Sequence, residues 1–436
     1  MKRLSIYVLL LSLYFSTIAQ QTSPAGGFAW YVPQKGNAKP MPVVFLFDPH
    51  GDGSLPVNKY KSLAEAYGFI LVGSNQSKNG NDWTTTEKIW NSLFAEVHQR
   101  LKVDDHRLYV CGFSGGAKVA SYVAIQHPGI RGVIAGGAGL PDGVSAGDLP
   151  FSYTVLAGEG DMNLTDLAAL SAALDKTKTR HRFIGFDGKH EWAPLTVMGQ
   201  AFAGWQLEAM HDGLIPRDLA FIGRIVAADK SRIDLALRAG EYIRAEQACR
   251  VAASYLSGLT PAADGFRQKA TTLDSDPKYK MQQQARDAVF AREANRKSEF
   301  MNAFQQGDNH YWQQTIRQLE SAAATPGPEK GMYQRLLAYL SLAFYSISNQ
   351  MIGTDRNEPA RHFVELYKMA DPTNSEAWYF SAVMDVREGH APAARTDLQK
   401  SISLGFRDRA RLSQQPEFRK SFSADDLSQM ESKMPK

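Results

Sequence analysis

The sequence predicts an α/β fold, a mostly parallel sheet flanked by helices, followed by an all-α region. Two observations carry this. From about Gly26 to Trp205, short apolar runs alternate with helical stretches. That β-α-β-α order implies a parallel sheet with helices on both faces. After Pro216 the strand-like runs stop, Ala, Gln, Arg and Lys increase, and the apolar period becomes helical. A chain of 436 residues is long enough for two such domains.

Each element has its own signal. Strands are expected at Phe28–Val32, Val43–Phe47, Phe69–Gly73, Leu108–Cys111, Gly132–Ala135, Tyr153–Leu156 and Arg182–Phe186. Helices are expected near Val57–Tyr67, Thr84–Leu101, Ala117–Gln126 and Asp166–Asp175. The run from His211 to Pro216 reads as a helix stop and linker. The first domain is therefore expected over 20–214 and the helical one over 215–436. In such a sheet, a site belongs at the C-terminal edge of the strands.

The first nineteen residues read as an address. Lys2 and Arg3 precede a nearly continuous apolar run from Leu4 to Phe15, and Thr17-Ile18-Ala19 supplies a cleavage site. The run is shorter than the roughly 20 residues of a comfortable span. The expectation is a signal peptide over 1–19, an exported mature protein and no integral membrane span; a signal anchor is the competing reading.

Composition narrows the partners. Lys plus Arg is 49 and Asp plus Glu is 45, a net +4, which gives no support for a nucleic-acid partner. Two cysteines, Cys111 and Cys249, exclude a disulfide scaffold. No His, Cys and carboxylate cluster has metal-ligand spacing, and neither G-x-G-x-x-G nor a P-loop is present, so no metal or nucleotide cofactor is expected.

The helical half carries weak repeats. Gly240, Ala245, Cys249 and Ala252 share their spacing with Gly389, Ala394, Leu398 and Ser401, and with Gly307, Trp312, Ile316 and Leu319. From Trp378 onward the pattern resembles a degenerate tetratricopeptide repeat, with Ala394 and Leu398 in register and Pro372 where a preceding repeat would end. An unrelated helical bundle is the alternative. A protein partner is one use for such an array.

The sharpest chemical feature is Leu108-Tyr109-Val110-Cys111-Gly112-Phe113-Ser114-Gly115-Gly116-Ala117, an apolar strand, then G-x-S-x-G, then a helix. A nucleophile elbow needs this shape: the serine sits on a strained turn, and the glycines let strand and helix backbones approach. Cys111, on the elbow strand, reads as core.

Here the sequence resembles the α/β-hydrolase family, specifically secreted serine esterases related to dienelactone hydrolase and polyhydroxybutyrate depolymerase, over roughly Ala29 to Leu214. The resemblance implies an α/β-hydrolase sheet and a triad ordered Ser, acid, His. Tyr153–Leu156 is followed by Gly158-Glu159-Gly160-Asp161, which resembles the family's acid turn, so Asp161 is the acid candidate. Glu159 is a second carboxylate, and Asp161 could instead cap the next helix. Gly188-Lys189-His190-Glu191-Trp192 resembles the histidine loop and makes His190 the base candidate over His181 and His211.

His50-Gly51 after the strand Val43–Phe47 resembles the oxyanion loop, with the N–H of Gly51 or Asp52 as one donor and that of Gly115 as the other. Trp83 and Trp192 are candidates for a substrate pocket or for packing. The implied activity is hydrolysis of a carboxylic ester, of a small molecule or a polymer end, through Ser114, His190 and Asp161. A peptidase with the same triad and an inactive hydrolase-fold scaffold are the alternatives.

Overall fold

The computed structural model describes residues 21–22, 26–34, 39–306 and 308–434. The export segment expected over 1–19 lies outside the described residues, as does Gly307 of the third spacing copy. Among the described residues, no helix is long and apolar enough to cross a membrane.

The first half follows the expected alternation. Its strands and helices run β1 (Gln21–Thr22), β2 (Phe28–Tyr31), β3 (Met41–Phe47), α1 (Ser54–Tyr67), β4 (Ile70–Ser74), α2 (Trp83–Arg100), β5 (Val103–Phe113), α3 (Gly115–Gln126), β6 (Ile130–Gly136), β7 (Ser152–Gly158), α4 (Leu164–Leu174), β8 (His181–Phe186) and α5 (Leu195–His211). The strands form one sheet in the order β1-β2-β4-β3-β5-β6-β7-β8. β3 pairs in parallel with β4 and β5, and β5 with β6, whereas β2 is antiparallel to β4. This is the expected mostly parallel sheet with flanking helices.

The chain beyond α5 buries a second hydrophobic core. It is helical throughout: α6 (Leu219–Arg238), α7 (Tyr242–Leu256), α8 (Ala262–Ser275), α9 (Pro277–Gln306), α10 (Asn309–Ala324), α11 (Lys330–Gly353), α12 (Asn357–Ala370), α13 (Ser375–Arg387) and α14 (Ala391–Ser403), then three short helices.

The chain packs as two compact units. One takes the chain up to Thr154 with Thr177–His181 and Pro194–Leu219; the other takes Val155–Lys176, Arg182–Ala193 and the residues from Ala220 onward. The division thus passes through β7 and β8.

In the first unit, all seven residues of β3 are buried, as a strand covered on both faces requires. α2 is started by Asp82, whose side chain accepts from the Thr85 N–H, and buries Thr86, Trp90, Leu93 and Val97 along one stripe. α3 buries Gly116, Ala117, Ala120, Ser121, Val123 and Ala124, mostly small side chains that let it lie close to the sheet. Phe69, Tyr109, Phe202 and Trp205 pack ring against ring beneath.

In the second unit, the repeated spacing marks buried faces. Ala245, Cys249, Ala252, Trp312, Ile316, Ala394, Leu398 and Ser401 are fully buried, and Leu319 nearly so. Trp378 is half-buried instead; its indole N–H donates to the Pro372 carbonyl at 2.9 Å. Trp312 is the centre of this core, touching Phe300, Phe304, Tyr311 and Phe344. Truncating a buried aromatic removes its transfer energy and leaves a cavity. Trp312→Ala should lower the unfolding free energy of the helical region by about 3–5 kcal/mol. Urea denaturation followed by circular dichroism at 222 nm checks this.

Candidate functional site

Ser114 and its turn lie in the first unit. β5 delivers the chain to Ser114, which has φ +53° and ψ −125°, and α3 begins at the next residue. Ser114 and Asp355 are the two non-glycine residues with positive φ among those described. Such a backbone costs on the order of 1–3 kcal/mol and persists only where the surroundings impose it. They do so here through close approach: a Cβ on Gly112 would lie 2.0 Å from the Gly116 carbonyl oxygen, and one on Gly116 would lie 1.9 Å from that of Phe47. The Ser114 N–H donates to the Gly136 carbonyl at 2.8 Å, tying the turn to β6. The N-terminus of α3 adds a partial positive charge beside Ser114.

The expected oxyanion loop follows β3. Asp48, nearly buried, accepts from the His50 N–H at 2.9 Å through its side chain and from the Gly51 N–H at 3.1 Å through its carbonyl. Gly51 has φ +76°, and the Asp52 carboxylate accepts from the Leu55 N–H at 3.2 Å at the start of α1. The His50 side chain is 76% exposed.

Asn79 is a neighbour that motif reading passes over. Its N–H donates to the Pro49 carbonyl at 2.8 Å, and a Cβ on Gly115 would lie 1.8 Å from its Oδ1. Asn79 thus holds the loop after β3 through its backbone and reaches the residue after the serine with its side chain. The sequence signal is only that Asn79 lies in the polar loop between β4 and α2.

The acid and histidine lie together in the second unit. His190 Nδ1 is 3.0 Å from Asp161 Oδ1, and the Asp161 side chain is 1% exposed. The same Oδ1 accepts from the Asn163 N–H at 2.9 Å, so Asp161 also braces the turn into α4. The N-cap of α4 is Asn163, with no side-chain cap bond, so Asp161 braces the turn ahead of the helix instead of capping it. Glu159 is half-buried; its carboxylate lies by Gly185, with Oε1 3.6 Å from where a Cβ would stand.

Backbone contacts hold this pair. The Glu159 N–H donates to the Phe186 carbonyl at 2.9 Å, and the Gly160 N–H to the Gly188 carbonyl at 2.8 Å. The acid turn and the histidine loop thus continue the β7 and β8 backbones as a ladder. A Cβ on Gly158 would lie 2.4 Å from the Lys189 carbonyl oxygen, which makes glycine necessary there.

Trp192 is buried, whereas Trp83 is 41% exposed and stacks on Tyr122 at 4.6 Å between centroids. Burial pushes the Cys111 thiol well above its usual range and the Cys249 thiol up to about 11, which keeps both protonated. Among the described residues, Asp385, Glu388 and His390 could converge on a cation, but Arg361 already bonds the carboxylates of Asp385 and Glu388.

No family model matches the chain, and no curated protein does. Among solved structures it is similar to a hyperthermophilic esterase from Pyrobaculum calidifontis, at 14% identity over 44% of this chain and 85% of that one, with a TM-score of 0.37. It is also similar to a putative dienelactone hydrolase from Klebsiella pneumoniae, at 18% identity over 44% and 95%, TM-score 0.34. An S-formylglutathione hydrolase from Agrobacterium tumefaciens is similar at 17% identity over 40% and 87%, TM-score 0.32.

Gly158→Ala should cost about 1–3 kcal/mol of stability, because backbone carbonyls must move to admit the methyl group. Gly223→Ala, within α6 with nothing within 4 Å of the added carbon, should be neutral or stabilising. Thermal melts of the two variants side by side make the comparison.

Proposed function

We propose that the chain is a serine hydrolase acting on carboxylic esters, exported in its mature form, with Ser114 as nucleophile, His190 as base and Asp161 as the orienting acid. The observation that carries this reading is the serine held at positive φ between a strand and the helix that follows it. That geometry is costly, and it presents a hydroxyl at the end of a strand. The 3.0 Å bond between His190 and Asp161 is the second support.

The chemistry follows from the proton inventory. A serine hydroxyl is a weak nucleophile until a base takes its proton. With Nδ1 of His190 committed to the Asp161 carboxylate, the proton belongs on Nδ1 and Nε2 is the basic nitrogen. Ser114 then attacks the ester carbonyl carbon as His190 accepts the hydroxyl proton. The imidazolium, stabilised by Asp161, returns that proton to the leaving alcohol. Water repeats the sequence on the acyl-enzyme and frees the acid. The oxyanion is assigned to the Gly115 N–H and to a backbone N–H of the Gly51–Asp52 turn, fixed dipoles that need no reorganisation as charge develops. Trp83 and Trp192 are read as flanking the substrate path. The C-terminal helices are read as a tetratricopeptide-like array.

Steady-state hydrolysis of p-nitrophenyl acetate tests these roles. Ser114→Ala should abolish turnover. Asp161→Asn, which keeps shape but favours the wrong imidazole tautomer, should lose about two to four decades in kcat. Glu159→Gln should change kcat by less than about tenfold, since its carboxylate lies by Gly185. A folded Asp161→Asn protein at the wild-type rate would move the acid elsewhere.

A further inference from the structure

The second unit contains a buried charge cluster that the sequence reading did not single out. Glu293 on α9 is fully buried. Arg335 on α11 donates to its Oε2 from Nε at 2.8 Å, with Nη2 at 2.7 Å. Lys297, one turn after Glu293, places Nζ 2.9 Å from Oε1. The Arg335 side chain is 4% exposed and that of Lys297 18%. Stability alone does not explain such a cluster. Desolvating three charges offsets much of their mutual attraction, and well-packed apolar residues commonly do as well.

The remaining donors are more informative. Arg335 Nη1 donates to the Glu159 carbonyl at 2.7 Å, and Lys297 Nζ donates to the Met162 carbonyl at 2.9 Å. These two carbonyls bracket Gly160 and Asp161, the turn whose carboxylate meets His190. The same helix lines the turn elsewhere: Gln334 Oε1 lies 3.6 Å from where a Cβ on Gly160 would stand, and the Glu159 carbonyl oxygen 3.6 Å from where one on Gly331 would stand. Glu293 pairs with both cations and fixes their long side chains, so their spare N–H groups reach the turn already oriented.

We propose that Arg335 and Lys297, held by Glu293, are positioning residues for Asp161: the helical segment α9–α11 sets the geometry of the catalytic acid. The proposal rests on the triad reading above. Its physical premise is that a displacement of about 1 Å in a catalytic group can cost on the order of 100-fold in rate. It also gives the C-terminal helices a function in the chemistry besides any partner they recruit.

The test uses the full chain and three variants, Lys297→Met, Lys297→Arg and Arg335→Lys, with circular dichroism to establish folding. Two readouts are taken: kcat and KM for p-nitrophenyl acetate, and the low-field proton NMR resonance of His190 Nδ1–H, assigned by its loss in His190→Gln. Lys297→Met should lower kcat about 10- to 100-fold with KM changed by less than about threefold, and should shift or broaden the resonance. Lys297→Arg, which keeps a donor for the Met162 carbonyl, should recover most of the rate. Arg335→Lys cannot serve Glu293 and the Glu159 carbonyl with one fork and should resemble Lys297→Met.

If Arg335→Lys fails to fold, Lys297→Met decides, because Glu293 then keeps its arginine. Folded Lys297→Met protein with wild-type kcat, or with reduced kcat and an unmoved resonance, would overturn the proposal. Ser114→Ala separates the levels. An inactive Ser114→Ala beside a fully active Lys297→Met rejects the positioning role alone. An active Ser114→Ala rejects the triad reading and the proposal with it.

Discussion

The 3.0 Å bond between His190 and Asp161 is the interaction that the surrounding structure has to hold. Neither residue sits on a regular element; each lies in a loop just beyond a strand. Such loops drift unless their backbone polar groups are committed. Here they are committed three times over. The Glu159 and Gly160 N–H groups pair with the histidine segment, the Asn163 N–H binds the acid itself, and the carbonyls of Glu159 and Met162 accept from Arg335 and Lys297. Small residues make room: glycine at 158 is what allows the Lys189 carbonyl to approach.

This arrangement explains why the chain divides as it does. By packing, the segments Val155–Lys176 and Arg182–Ala193, which carry the acid and the histidine, group with the helices from Ala220 onward, although they continue strands of the sheet. Ser114, its glycine-lined turn and the loop that follows β3 belong to the other unit. On the proposed reading, the bracing of the Asp161 turn by the helical segment gives events on those helices a route to the chemistry. An isolated catalytic domain has no such route.

Much of the fold was legible in the sequence. The strands from β2 to β8 sit where apolar runs marked them: β3, β4 and β7 are buried along their whole length and read as continuous hydrophobic stretches, whereas β8 buries every second residue. The ends were less legible. β5 reaches back to Val103 through Asp104, Asp105 and His106, polar residues held in line by the pairing of Met41 with Val103, a long-range partner that no local window contains. α5 showed only its stop, since it is buried along most of its length and lacks the polar face that creates a helical period.

The site divided in the same way. Ser114, Asp161 and His190 stood out as candidates because the elbow and the loops that follow strands are local patterns. Asn79 and the cluster of Glu293, Lys297 and Arg335 could not. Asn79 is one amide in a polar loop. Glu293 and Lys297 lie in the run Arg292-Glu293-Ala294-Asn295-Arg296-Lys297, which reads as a solvated helix face; only the three-dimensional packing buries it against residues more than a hundred positions earlier.

The most direct test of a serine nucleophile at this elbow is covalent. Wild-type protein treated with a fluorophosphonate and digested with trypsin should carry the phosphonyl group on Ser114, at near one group per chain, with labelling lost after heat denaturation. Folded protein that stays unlabelled, or that carries the group on another residue, would contradict the assignment of Ser114 as the nucleophile.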